Sequence, residues 1–329
     1  LRILVGDIGG TNTRLALGFL QGGRISIEQR ENFASADYAS LAEIVHRYTP
    51  AQQTTLSAAA FGVAGPVSEG VSRITNLPWE ISQSSLAGQL HLSKVALIND
   101  LEAQAWGIDD LDSGELLTLQ AGTGPATGNR AIVAAGTGLG EAGLCDTGAG
   151  HRPFATEGGH SDFAAISERD WLLRQHLRER YGHVSWERLL SGPGLVALYQ
   201  FLLSHHRAPA PDWLTAPDEV PAAHITDLAL GQQDAICVET LRWFVQLYGR
   251  EAGNIALKLK ATGGVYLGGG IAPRILPALR DGLFIEAYLD KGRMRALLER
   301  IPVRVICSDL VALKGLTRLA LGATDSRAT

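Results

Sequence analysis

Short apolar runs recur along this chain, and several of them stop at glycine. Ile3-Leu4-Val5, Ser57 to Ala64, Val95 to Ile98, Ala131 to Ala135, Val265 to Leu267 and Val303 to Cys307 are of this kind. Runs so short, bounded by Gly or by Asn-Asp, read as buried strands. Leu15-Ala16-Leu17 reads as a return strand, and Arg24 to Phe33 as a third strand in which Ile25 and Ile27 alternate with polar neighbours. Val71 to Ile74 is a further short strand. Between these lie stretches of helical period. Tyr38 to Tyr48 puts Leu41, Ile44 and Val45 on one face, and Ser84 to Leu90, Leu101 to Trp106 and Glu168 to Tyr181 follow. Another helix runs from the turn Ser191-Gly192-Pro193-Gly194 through Leu203. Gln233 to Lys260 is one long helix, loosened near Gly249 and Gly253. Helices fill Ile275 to Glu299, and Val311 to Gly322 is the last. Asn76 to Trp79 and His206 to Ala223 read as loops. Strands alternating with helices predict an α/β fold.

The chain has 329 residues, a length that suggests two domains. The last strand and helix are expected to return to the first domain. This gives a small α/β domain, 1–110 plus 301–329, and a large α+β domain, 111–300. The cleft between them is the expected place for a site.

Two segments share one grammar. Leu4-Val5-Gly6-Asp7-Ile8-Gly9-Gly10-Thr11-Asn12 is a strand, a glycine turn and the start of a return strand. Ala131 to Ala135, then Gly136-Thr137-Gly138-Leu139-Gly140, then Ala142 to Cys145, repeats it. Gly6, Gly9 and Gly10 mark a tight turn where the backbone can take positive φ and come close to a ligand. No lysine follows, so the first segment is not a Walker loop, and a hairpin return replaces the helix of a dinucleotide fingerprint. Each hairpin tip can offer backbone N–H groups and a threonine hydroxyl to phosphate oxygens. Asp7 stands beside the first tip as a candidate magnesium ligand, directly or through water.

Asn99-Asp100 ends a strand, where open α/β sheets bind ligands. A carboxylate there can take a hydroxyl proton while the amide holds the same substrate. The pair suits equally well a second role, with Asp100 as N-cap of the helix that follows. Glu157-Gly158-Gly159-His160 has a superficial metal-site look but no evident third ligand.

Composition narrows the classes. With 46% hydrophobic and 19% charged residues the chain can bury large cores. A net charge of −5 and the lack of a basic stripe argue against nucleic acid or an anionic membrane as the main partner. No apolar run approaches the ~18 residues of a membrane helix. The first strand starts at Ile3, so neither a signal peptide nor a DNA-binding module is expected ahead of it. Cys145, Cys237 and Cys307 lack metal-type spacing, which predicts buried free thiols and a cytoplasmic protein.

The paired hairpins resemble those of the superfamily of actin, hexokinase and the heat-shock chaperone ATPases. Adding Asn99-Asp100, Glu157-x-x-His160, Ser185-x-Glu187-Arg188-Leu189-x-Ser191-Gly192-Pro193-Gly194 and Gly268-Gly269-Gly270-Ile271, the chain resembles bacterial ATP-dependent glucokinase of the non-ROK type over about residues 2–322. The cysteine zinc cluster of the ROK sister family is absent. The resemblance implies a two-domain, actin-like ATPase fold of hexokinase type and transfer of the γ-phosphoryl group of MgATP to the 6-hydroxyl of glucose. It implies a first phosphate loop at Asp7, Gly9, Gly10, Thr11 and Asn12, a second at Gly136, Thr137 and Gly138, and an adenosine-side turn at Gly268 to Gly270. It makes Asn99, Glu157, His160 and Glu187 glucose ligands and Asp100 the catalytic base, and it suggests a homodimer. A kinase for another hexose, polyphosphate as donor, a sugar-responsive regulator and a protein-binding ATPase stand as the alternatives.

Overall fold

The computed structural model describes all residues except 52–54, 75, 76, 212, 215–220 and 326–329. The start of the loop expected at 76–79 and much of the loop expected at 206–223 therefore lie outside the described residues. The chain divides into two compact units: 1–115 with 152–155 and 308–329, and 116–151 with 156–307.

In the first unit β1 (Ile3–Ile8), β2 (Asn12–Gln21), β3 (Arg24–Ala34), β4 (Ala58–Val63) and β8 (Val95–Asn99) form one sheet in the order β3-β2-β1-β4-β8. β5 (Val67–Ser68), β6 (Val71–Arg73) and β7 (Glu80–Ser82) form a small separate sheet. β1 pairs antiparallel with β2 and parallel with β4, and β4 pairs parallel with β8. The large sheet is covered on both faces. Leu4, Ile8, Ala59, Phe61 and Val63 pack with Leu41, Ile44 and Val45 of α1 (Leu41–Ala51) and with Leu86 of α2 (Gln83–Leu90). Ile3, Val5, Ala58 and Ala60 face the other way, onto Ala103 of α3 (Asp100–Gly107) and Leu313 and Leu316 of the C-terminal helix Val311–Asp325. Burial on both faces is why β1 and β4 read as continuous apolar runs.

In the second unit β9 (Leu116–Gln120), β10 (Arg130–Ala135), β11 (Leu139–Asp146), β13 (Gly264–Gly268) and β14 (Val303–Ile306) pair in the order β11-β10-β13-β14-β9. β12 (His151–Thr156) is divided, since its residues 152–155 group with the first unit. As in the first unit, a hairpin is followed by parallel pairings, β10 with β13 and β13 with β14. Four longer helices pack around this sheet: α4 (Glu168–Tyr181), α5 (Gly192–His205), α6 (Ala222–Leu230) and α7 (Ala235–Lys258). The sequence pattern does not predict α6, whose first residues fall in the expected loop.

Four expectations change. β14 belongs to the second unit, paired with β13 and β9, and only the helix after it groups with the first. An apolar run of four residues does not specify which sheet it joins. Gly6 lies inside β1 without positive φ, and Gly9 also lacks it. Gly6 is required for space: a Cβ there would come within 2.7 Å of Phe61 Cδ1 and 2.8 Å of Leu15 Cδ2. Only Cys237 is buried, while Cys145 and Cys307 are exposed.

Last, α7 runs unbroken through Gly249 and Gly253. Both glycines let the helix Leu283–Leu289 lie close, because added Cβ atoms would sit 2.2 Å from the Phe284 carbonyl oxygen and 2.7 Å from that of Tyr288. Gly249→Leu should therefore lower the melting temperature, with an overpacking cost of about 1–3 kcal/mol or more. An unchanged thermal melt would show that the two helices can separate freely.

Candidate active site

The first phosphate-type loop is a tight hairpin end. Asp7 lies opposite Arg14 and Ile8 opposite Thr13, and the Gly9 N–H closes the turn on the Asn12 carbonyl at 2.9 Å. Ser35, which the sequence pattern does not single out, clamps the turn from β3's end. Its N–H donates to the Thr11 carbonyl at 2.9 Å, and its hydroxyl donates to the Gly9 carbonyl at 2.9 Å. Thr13 Oγ1 lies 3.0 Å from that hydroxyl. Thr11 and Asn12 are left exposed. The Gly9 N–H is thus spent inside the turn, and the Thr11 hydroxyl is the group presented outward.

Asn99 ends β8 and, rather than Asp100, caps α3. Its Oδ1 accepts from the N–H of Leu101 at 2.9 Å and of Glu102 at 3.3 Å, while Nδ2 donates to the Gly65 carbonyl at 3.1 Å. The Asn99 side chain also pulls the neighbouring Asp100 carboxyl down. Asn99→Ala should cost about 0.5–2 kcal/mol of stability through the lost cap, readable as a lower denaturant midpoint; an unmoved midpoint would mean that the cap is dispensable.

Asp100 opens the helix, and its carboxyl is pushed up to about 6, first by burial and then by the negative charge of Asp7, against the opposing pull of the Leu101 N–H. Burial also raises Asp7, against the pull of Arg14, whose Nη1 lies 3.7 Å from Oδ2. Two carboxylates in each other's field, with one arginine near, suit a hard divalent cation. Magnesium is commonly held by one or two carboxylates, the rest of its shell being phosphate oxygens and water. Among the described residues no three His, Cys, Asp or Glu side chains cluster as a complete protein cage.

In the second unit, distant segments meet. The Ser161 carbonyl accepts from the Trp186 N–H at 3.1 Å, the Phe163 N–H donates to the Val184 carbonyl at 3.0 Å, and Asp162 bridges Ser185. The rings of Phe163 and Trp186 meet edge to face at 5.0 Å. This pairing brings Glu187 to the loop of Glu157 and His160. His160 Nε2 lies 3.9 Å from Glu157 Oε2, and its Nδ1 lies 3.8 Å from Glu187 Oε1. Glu187 also accepts from the Leu139 N–H at 3.0 Å, which ties it to the second hairpin turn beside Gly138. The three side chains form one polar group, as hydrogen-bonding to a polyhydroxy ligand requires.

At the second hairpin tip the Gly136 N–H closes its own turn on the Gly138 carbonyl at 2.9 Å, and Thr137 is exposed. The Gly136 carbonyl accepts from the Gly192 N–H at 2.8 Å, which fixes the start of α5 against the turn. A cavity of about 480 Å³ opens there, lined by Thr137, Pro193, Thr226, Gly270, Ile271 and Arg274 among others. Gly268 and Gly269 are not in its lining among the described residues. Gly269 has φ +77°, and a Cβ on it would sit 2.3 Å from the Ala135 carbonyl oxygen, so it lets β13 leave the sheet against β10. Arg274 and Thr226 carried no sequence signal of their own.

A hairpin feeding parallel strands in each of two units, with glycine turns at the hairpin tips, defines an actin-like ATPase fold of the hexokinase type. The structure is similar to glucokinase from an Antarctic psychrotroph, with a TM-score of 0.86 and 33% identity over 98% of this chain and 99% of that one. Its fold is also like that of glucokinase from Balamuthia mandrillaris in complex with glucose, with a TM-score of 0.80 at 22% identity over 98% and 94% of the two chains. In sequence it is 36% identical to glucokinase of Synechocystis over 96% of both chains. The glucokinase family profile matches residues 4–323, and this chain belongs to that family. It is therefore an ATP-dependent hexose kinase.

Proposed function

We infer that this chain transfers the γ-phosphoryl group of ATP to the 6-hydroxyl of glucose, giving glucose 6-phosphate and ADP, with Asp100 as general base. The raised carboxyl of Asp100 carries this reading. At about 6 it is mainly ionised at neutral pH yet basic enough to receive a hydroxyl proton. Asn99 holds the start of α3 and offers its amide to the sugar. Glu157, His160 and Glu187 accept from and donate to the ring hydroxyls. Gly6 gives β1 its close packing below the first tip; Gly9, Gly10, Thr11 and Asn12 there, with Gly136, Thr137 and Gly138 at the second, hold the phosphates, and Gly270 the adenosine side. Asp7 would hold magnesium directly or through water. Magnesium bound with ATP supplies neutralisation of phosphate charge, which is most of what phosphoryl transfer asks for.

We further place the enzyme in the cytoplasm as a homodimer. The exposed thiols of Cys145 and Cys307 suit a reducing compartment, and the family resemblance supports the dimer, which light scattering tests. No helix among the described residues is long and apolar enough to cross a membrane.

A coupled assay for glucose 6-phosphate tests the activity. Turnover should be fastest with glucose and ATP. Faster turnover with mannose, fructose or N-acetylglucosamine, or with polyphosphate, would move the assignment to another acceptor or donor.

A further inference from the structure

A buried acid pair lies directly beneath the loop that carries Glu157 and His160. Glu141, in the middle of β11, is 2% exposed, and Glu251, on α7, is fully buried. Each carboxyl group lies in the field of the other, and burial raises both, so one of them keeps a proton. Glu251 is the charged partner: Asn254 Nδ2 donates to its Oε2 at 2.7 Å, and Lys258 Nζ lies 3.5 Å from its Oε1. Glu141 Oε1 receives no hydrogen from any donor. Glu141 is therefore the protonated member, and burial with the nearby negative charge of Glu251 pushes its carboxyl up to about 8.

The loop rests on this group. A Cβ added to Gly158 would sit 2.1 Å from Glu141 Oε2, so the glycine backbone lies against the carboxyl itself. The Glu141 carbonyl accepts from the Thr156 hydroxyl at 2.9 Å, and that hydroxyl accepts from the Gly158 N–H at 3.2 Å. Gly159 packs as closely on β11, where a Cβ would be 2.1 Å from the Leu139 carbonyl oxygen. The first of the two glycines between Glu157 and His160 is thus fitted to the acid beneath it, and the second to the β11 backbone. A carboxyl kept neutral in an apolar strand costs less than a buried carboxylate, but more than a leucine of similar volume. A core that needed only filling has no use for it.

We propose that Glu141, buried beside Glu251, is a positioning residue for the sugar loop: its carboxyl sets the height of Gly158 and so the placement of Glu157 and His160. This rests on the reading of those two residues as glucose ligands. The charged and titratable groups facing the pair are Lys258 and Tyr248 on α7, with Lys291 beyond Glu251. On the loop, His160 is engaged with Glu157 and Glu187. Loss of the Glu141 proton leaves two buried carboxylates in mutual repulsion under the loop. Glucose binding should therefore weaken at alkaline pH while ATP binding does not.

The test measures KM for glucose and for ATP between pH 7 and 9 in the wild type, Glu141→Gln, Glu141→Ala and Glu157→Ala. Glutamine keeps the shape and stays neutral. Glu141→Gln should hold a near wild-type glucose KM at pH 7 and lose the alkaline rise that the wild type shows. Glu141→Ala should raise the glucose KM at least tenfold and leave the ATP KM within twofold. A wild-type glucose KM in Glu141→Ala, or an alkaline rise that persists in Glu141→Gln, overturns the proposal. Should Glu141→Ala not fold, the Glu141→Gln profile decides alone. Glu157→Ala keeps the two readings apart: if it leaves the glucose KM unchanged, the sugar assignment itself fails, and if it raises that KM while the Glu141 variants behave as wild type, only the positioning role fails.

Discussion

Replacing Asp100 by asparagine should lower kcat by about 10²–10⁴-fold, the usual contribution of a positioned general base, and leave glucose affinity nearly unchanged. Shape is conserved, and the amide oxygen can still accept from the Leu101 N–H, which now lies 2.9 Å from Asp100 Oδ1. The cap of α3 survives, because Asn99 supplies it. Stability should hold or rise. The Asp100 carboxyl is raised to about 6 in the fold, so between about 4 and 6 the folded chain binds more protons than the unfolded one. Its stability contribution is present at low pH and is lost as pH rises through that window. At neutral pH the wild type therefore carries a disfavoured charge that asparagine removes. Activity runs the other way, since the base works only when ionised. The kcat/KM of the wild type should fall as pH drops below about 6. A thermal melt and glucose-dependent ADP release on this one variant separate the roles. Full activity in Asp100→Asn would refute a base at this position.

Asp7→Ala should abolish measurable turnover, while calorimetry without nucleotide still finds glucose bound. A carboxylate that neutralises phosphate through a cation acts on the donor and not on the sugar. The variant has a second signature. Asp7 is one of the causes that raise Asp100, and without its charge Asp100 should ionise at lower pH. The Asp100 carboxyl resonance, followed by NMR, should then titrate below its wild-type midpoint. Lost glucose affinity in Asp7→Ala would instead place Asp7 in the sugar site or in the packing of β1. An unshifted Asp100 would show that the two carboxylates do not share a field.

Legibility in the sequence followed contact distance along the chain. β1 to β2 and β10 to β11 are local hairpins, and their apolar runs and glycine turns were readable because their pairings stay between neighbouring strands, from Ile3–Gly18 in the first to Arg130–Leu144 in the second. The order of motifs was enough to mark the family. The choice between Asn99 and Asp100 as cap was not readable, since both residue types cap well. Backbone geometry decided it, by placing Asn99 Oδ1 against two N–H groups and Nδ2 against Gly65. The same holds for Gly249 and Gly253, which look like helix breakers until the helix Leu283–Leu289 is packed on them.

Most of the strands and helices and both hairpin tips were legible in the sequence, though β9, β12 and α6 were not. The tertiary structure alone decided which sheet took β14, how Glu187 came to lie beside Glu157 and His160, and that Glu141 meets Glu251 under Gly158. Each of those outcomes joins segments far apart in the chain, and each depends on burial. Burial turns a glutamate between Gly140 and Ala142, ordinary in a written sequence, into a neutral acid. Periodicity reports which face of an element is apolar; it carries no term for what that face will meet.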